Sequence, residues 1–246
     1  MNKKLSFLCC GILMGVLCGC GKAKLSDTEA LDVIRDFQNS NYEYTKTVWC
    51  VNPEGEDQES LHYSGKVLKD PYRQYEVMED PDDSPRPDIG GIQQYYYEEN
   101  GIVYTINGID GVNYAVGAER ADRFYQSEDL DINYDREEEV GGKKCAVYKA
   151  QGTDTLFFYD NEDGDDPEKV PYGYDVEFYL GHQEKQVVQV VVDRSEAAEK
   201  NWEHYNGADS LDGADPEAVM REKDVYEIVY QGDEISIEFP EIKDNF

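Results

Sequence analysis

Tyr174-Asp175-Val176-Glu177-Phe178-Tyr179-Leu180, then Gly181-His182, then Gln186-Val187-Val188-Gln189-Val190-Val191-Val192-Asp193 is the stretch whose period decides the fold. In the first arm large apolar side chains recur at every second residue, the spacing that lines one face of a strand. The second arm is nearly continuous valine, which a strand carries when it is buried on both faces or at an interface. Gly181-His182 lies between the two arms at the place of a turn. The expected unit is an antiparallel hairpin, and the same alternation recurs through most of the chain.

Working toward the C-terminus, 195–204 reads as a helix with Ser195 as cap and with Ala198 and Trp202 four residues apart. Asp215-Pro216-Glu217 opens a short helix with Pro at its first position. Strands are expected at 225–230 and 235–239, with Pro240 ending the last. Toward the N-terminus, 132–140 and 143–150 flank Gly141-Gly142, and 155–159 is a further short strand. Strands 92–98 and 102–106 meet at Asn100-Gly101, a hairpin signal. Asn107-Gly108 and Asp110-Gly111 turn the chain into 112–116, and 118–126 fits a helix better than a strand. Strands 42–51, 61–69 and 72–78 form a meander with a tight turn at Asp70-Pro71. Segments 79–91 and 161–168 are acidic loops.

A helix is expected over 27–38. Ser26-Asp27-Thr28-Glu29 has the pattern of a capping box, Leu25 and Ala30 are placed for a staple, and Leu31, Ile34 and Phe37 make an apolar stripe. The total is about eleven strands and two to four helices with no βαβ alternation. The fold class is α+β, mostly β. One large curved antiparallel sheet, an incomplete barrel, is covered by the N-terminal helix and one or two further short helices.

The first twenty residues form a different kind of segment. Met1-Asn2-Lys3-Lys4 is a positive start, an apolar run follows to Leu17, and Leu17-Cys18-Gly19-Cys20 ends it. That is the layout of a secretory signal peptide. The apolar run is too short for a membrane-spanning helix, which needs about 20 residues. The last four residues resemble the lipobox of bacterial lipoproteins, which implies cleavage before Cys20 and a diacylglyceryl group on its thiol. Residues 1–19 are then the signal peptide, 20–24 a lipidated tether, and 25–246 one domain. Two acyl chains hold a membrane stably where one does not. The expected location is the extracytoplasmic face of the cell membrane.

Composition excludes several classes. The net charge is −31, and removing residues 1–19 takes two lysines and no acid, giving −33. Such a field repels nucleic acid and anionic lipid headgroups, so attachment to the membrane rests on the lipid. The twenty tyrosines and 12% aromatic content separate this chain from acidic disordered segments. Of six cysteines, Cys9, Cys10 and Cys18 leave with the signal and Cys20 is lipidated. Cys50 and Cys145 remain, both on expected strands. Either they form a disulfide across a long loop or they are two buried thiols.

With the elements in order, a resemblance emerges. Gly65-Lys66-Val67-Leu68-Lys69-Asp70-Pro71-Tyr72, Tyr95-Tyr96-Tyr97-Glu98-Glu99-Asn100-Gly101, Gly141-Gly142-Lys143-Lys144-Cys145-Ala146-Val147-Tyr148, Val176-Glu177-Phe178-Tyr179-Leu180 and the closing Tyr226-Glu227-Ile228-Val229-Tyr230 with Ile235 to Pro240 carry it, with the lipobox and first helix. Together they resemble the outer-membrane lipoprotein carrier and its mycobacterial-type relatives (LolA/LppX-like). More closely, they are similar to lipoproteins of Gram-positive gut-type bacteria assigned to that superfamily. The resemblance implies a strongly curved antiparallel sheet with helices over a hydrophobic concavity that holds acyl chains or other hydrophobic molecules. The acidic loops and the fixed lipid anchor depart from a soluble shuttling carrier.

Candidate chemistry is sparse. The run 160–168 approaches a calcium loop, but Gly164 at the sixth position puts Tyr159 first and Val170 twelfth, where an EF-hand needs acids. A solvated loop is the favoured reading, with weak calcium binding as the alternative. His62, His182 and His204 have no zinc-type spacing, and no nucleophile motif, phosphate loop or basic patch occurs. No catalytic residue, metal site or cofactor is assigned, the chain does not read as an enzyme, and the ligand contacts stay unassigned. Tyr95, Tyr96, Tyr97 and Trp49 fit cross-strand packing, a glycan-stacking face or a cavity wall. Two functions follow: a membrane-anchored lipoprotein holding a hydrophobic or amphiphilic ligand in the concave face, or a cell-surface protein- or glycan-binding module with no internal ligand.

Overall fold

The computed structural model describes residues 25–51, 57–79, 93–99, 102–109, 112–116, 125, 130–158, 168–206 and 221–239. Helix α1 (Asp27–Gln38) is followed by strands β1 (Tyr42–Val51), β2 (Asp57–Lys69), β3 (Tyr72–Glu79), β4 (Gln93–Glu99), β5 (Ile102–Ile109) and β6 (Val112–Val116). Then come β7 (Asn133–Val140), β8 (Lys143–Phe158), β9 (Glu168–Gly181), β10 (Gln186–Asp193), helix α2 (Ser195–Asn206) and β11 (Arg221–Gln231). The strands form one curved antiparallel sheet, not closed into a barrel, in the order β6-β5-β4-β3-β2-β1-β11-β10-β9-β8-β7. Two sequential meanders, β1 to β6 and β7 to β11, are thus joined where β1 pairs with β11. The two open edges, β6 and β7, are neighbours in sequence. Edge strand β7 carries Asp135, Arg136, Glu137, Glu138 and Glu139, charges that discourage pairing with another chain.

Register sorts side chains cleanly. Tyr42, Tyr44 and Lys46 of β1 share a face with Tyr63, Gly65 and Val67 of β2, and with Tyr226 of β11. That face continues through Val190 and Val192, Val176 and Phe178, and Tyr148 and Ala150. This is the concave face, and it carries the main core. Helix α1 packs on β10, and α2 packs on β9 and β11. The capping box forms as expected: Ser26 Oγ accepts from Glu29 N, and the Glu29 carboxylate accepts from Ser26 N at 2.9 Å. Ala30, Ile34 and Phe37 are fully buried, each large side chain contributing about 1.5–3 kcal/mol. Tyr125, which lies between β6 and β7 in sequence, packs against Phe37, Tyr42 and Tyr226, and its carbonyl accepts from Gln38 Nε2 at 3.0 Å.

The valine run behaves as its composition requires. Val187, Val190 and Val192 are buried in the main core, while Val188 and Val191 pack on the opposite, convex face against Cys145, Val147 and Tyr179.

Several expectations change. Segments 143–150 and 155–159 are one strand through Phe158, because Gly152 does not break it. It faces Tyr174 across the β8–β9 pair, and the Tyr174 ring occupies the space a Cβ would need. Strand β9 begins at Glu168, so Pro171 and Gly173 lie inside it. Asn107 and Gly108 continue β5 instead of turning. Residues 235–239 form no strand; Ile235 and Ile237 are nonetheless buried. Ser195 is the first residue of α2, and Asp193 Oδ1 accepts from its backbone N at 3.0 Å, so the carboxylate does the capping. The leader with Cys20, the acidic loops 80–91 and 161–167, the 215–217 helix and most of 118–126 lie outside the described residues.

Candidate functional site

The interior of the first meander holds a connected polar cluster. Lys46 on β1 and Glu76 on β3 are 5% and 4% exposed. Lys46 Nζ lies 2.8 Å from each Glu76 carboxylate oxygen. Tyr44 OH donates to Glu76 Oε1 at 2.8 Å, and Gln74 Nε2 donates to Tyr44 OH at 3.0 Å. Tyr72 OH completes the chain by donating to Gln74 Oε1 at 2.6 Å. Lys46 Nζ also sits 4.3 Å from the centroid of the Tyr63 ring. Strand parity produces the cluster. Lys46 follows Tyr42 and Tyr44 at two-residue steps, and Glu76 follows Tyr72 and Gln74 in the same way. Burial, and then the Glu76 charge, push the Tyr44 phenol well above its ordinary range, so it stays a neutral donor.

The concave face of the second meander is chemically unlike this. Val176, Phe178, Leu180, Val190 and Val192 dominate it, with Tyr148 and Tyr174 at its flank. One charge sits at its end: Asp224 is fully buried and ion-paired to Arg194, which also meets Glu222. The convex face of this half carries a partly buried ion network. Arg136 donates to both Glu177 oxygens at 3.0–3.1 Å, and Lys149 bridges Glu177 and Asp135. Burial alone would raise the Glu177 carboxyl. The bonds from Arg136, Tyr179 and Lys149 outweigh it and hold that carboxyl at about 2. Burial and the Glu177 carboxylate push the Tyr179 phenol up.

No disulfide joins Cys50 and Cys145. The sheet order separates β1 from β8 by four strand steps, roughly 19 Å along the sheet, against about 6 Å between Cα atoms of a bridge. Of the alternative considered from sequence, two buried thiols, Cys145 is buried and Cys50 is half-buried. Cys145 is buried in the convex apolar cluster, and burial pushes its thiol up, away from nucleophilic character. The histidines stay on three separate elements. His62 meets Thr47, His182 meets Glu137, and His204 stacks on Phe158 at 3.8 Å. Among the described residues, no group of three or more His, Cys, Asp and Glu could hold a metal ion, and no helix is long and apolar enough to cross a membrane.

Tyr95 and Tyr97 share the convex face as alternation requires, and Tyr96 packs on the main core. The convex pair belongs to a row of rings across three strands. Tyr75 meets Tyr95 at 4.8 Å, Tyr97 stacks on Tyr104 at 5.3 Å, and Phe239 touches both Tyr95 and Tyr97. Trp49 is half-buried on β1, away from this row.

These features define an open, strongly curved antiparallel sheet with helices against its concave face. No family model matches the chain, and no curated protein matches it. Solved structures similar to it include the lipoprotein LppX of Mycobacterium tuberculosis, at 10% identity and TM-score 0.41 over 87% of this chain and 100% of that one. LprF of Mycobacterium bovis is similar at 12% identity and TM-score 0.39, over 89% of this chain and 99% of that one. A LolA superfamily protein of Nitrosomonas europaea is similar at 10% identity and TM-score 0.38, over 88% of this chain and 96% of that one.

Proposed function

We propose that this chain is a lipid-anchored extracytoplasmic binding protein that holds an amphiphilic ligand against the concave face of its sheet. The supporting observation is the division of that face. An aliphatic and aromatic half under the helices adjoins a half whose interior presents phenols, an amide and a Lys46–Glu76 pair. An apolar chain suits the first, and a polar headgroup suits the second. The anchor is the diacylglyceryl group on Cys20, and its short tether keeps the domain at the membrane surface.

One observation favours the second reading, a surface-binding module without internal ligand. The described residues of the concave face are packed against one another, with Tyr42, Tyr44, Tyr148, Phe178 and Tyr226 nearly inaccessible. Titration with lysophosphatidylcholine below its micelle concentration separates the two. The first reading expects saturable binding that Gln74→Leu weakens about tenfold, a loss of ~1.4 kcal/mol. Absence of saturable binding supports the second reading. For the anchor, Cys20→Ala is expected to move the protein from the membrane to the soluble fraction; unchanged attachment contradicts it.

A further inference from the structure

Beside the β2–β3 turn, where β3 and β4 meet, the first meander holds a cleft open to the convex side. It has a volume of about 240 Å³ and is lined by Pro71, Tyr72, Arg73, Tyr97, Glu98, Ile106 and Phe239, with Tyr72 the one member that also belongs to the interior polar chain. Two aromatic rings form its walls, with Tyr97 edge-on to Phe239 at 5.9 Å and backed by Tyr104. The Arg73 guanidinium lies 5.0 Å from the Phe239 centroid, and Arg73 and Glu98 are exposed at the rim. We propose that this cleft binds one ring of a neutral saccharide.

The chemistry of the lining carries the assignment. A pyranose ring has a C–H face that packs on an aromatic face and hydroxyls around its edge. Tyr97 and Phe239 supply the aromatic surface. Arg73 brings several N–H donors in a fixed plane to the rim, where they can meet hydroxyl oxygens of the sugar. The volume is below the usual range for drug-sized ligands, which fits a single ring of a longer chain lying across the rim. The net charge of −31 disfavours an acidic sugar, which selects a neutral one. The row Tyr75, Tyr95 and Tyr104 extends the aromatic surface across β3, β4 and β5, giving neighbouring rings somewhere to rest. Ile235 and Ile237 are buried, and the segment they belong to brings Phe239 against Tyr95 and Tyr97 without pairing as a strand. This deepens the second reading above by giving it a site and a ligand class, while the concave-face reading stands or falls separately.

The test uses the full chain in detergent, with chitotetraose, cellotetraose and mannotetraose as probes, by saturation-transfer NMR and calorimetry. At least one probe is expected to bind saturably. Tyr97→Ala and Arg73→Ala should each weaken that binding about tenfold, and Tyr205→Ala, an exposed tyrosine on α2, should leave it unchanged. Tyr97→Leu, which keeps the apolar volume but removes the ring face, serves if the alanine variant does not fold. No saturable binding of any probe up to ~10 mM overturns the proposal, a very weak limit of affinity. Binding that survives both cleft variants overturns it too. So does saturable binding of a proline-rich decapeptide with none of the sugars, which would make the cleft a peptide groove.

Discussion

In the first meander Tyr44 of β1 lies over Gly65 of β2; in the second Tyr174 of β9 lies over Gly152 of β8. Both glycines face the concave side directly opposite their tyrosine, and both leave room for a ring where a Cβ would stand. The surroundings differ. Tyr44 is enclosed, and its hydroxyl is tied to Glu76 and Gln74. Tyr174 sits at the flank of an apolar core, beside a polar groove that includes Glu196 and Arg221. The same sheet device therefore serves two interiors. One is fixed by a directional polar chain, the other by close packing of apolar side chains, and they should fail in different ways.

The largest expected difference is electrostatic. Glu76→Ala leaves the Lys46 ammonium buried without its partner, which costs about 3–5 kcal/mol. Glu177→Ala, in the convex ion network of the second meander, removes partly solvated pairs and should cost roughly 1 kcal/mol. Chemical denaturation measures both. The double variant Lys46→Met with Glu76→Leu should recover most of the loss. If Glu76→Ala costs no more than Glu177→Ala, the two halves are not organised as described. Glycine is the next test. Gly65→Ala should cost about 1–3 kcal/mol, because Tyr44 is held by two hydrogen bonds and cannot swing aside. Gly152→Ala should cost less, since Tyr174 borders open space. Equal melting temperatures for the two variants would erase the contrast.

The elements that carry this contrast were legible in the sequence; the contrast itself was not, for a physical reason. The hairpin at 174–193, the meander at 42–78 and the first helix follow from period and caps, which are local. Lys46 and Glu76 were not singled out, although parity places each on one face of its strand. They share a face with Tyr42, Tyr44, Tyr72 and Gln74, but their burial depends on β1 and β3 flanking β2, a tertiary fact. Gly152 reads as a break when taken alone. Only the registration of β9 beside β8 shows that a ring fills the gap. The link between β1 and β11, which turns two meanders into one sheet, joins opposite ends of the domain and leaves no mark in local spacing. The convex cleft was missed because Phe239 reads as part of a strand, whereas its segment lies across the aromatic row without pairing.

Two smaller effects sharpen the comparison at the periphery of each half. Ser26→Ala removes the cap of α1, the helix over the apolar interior, and should cost about 1 kcal/mol with the melting temperature as readout. The Glu177 carboxyl is held below its unfolded value of 4.5, at about 2. A depressed carboxyl contributes stability that is fully present above the unfolded pKa and is lost as pH falls through the folded one. Wild type should therefore lose an increment of stability between about pH 4.5 and pH 2 that Glu177→Gln does not lose. Parallel curves for the two proteins over that window would contradict the network.

The most direct test of the concave-face account is native mass spectrometry of the full-length protein, purified gently from the membrane and released from detergent. The account predicts a native species heavier than the covalent mass of the chain, fixed by denaturing mass spectrometry, by the mass of one amphiphile that is lost on organic extraction. A single native population at the covalent mass of the chain alone would contradict it.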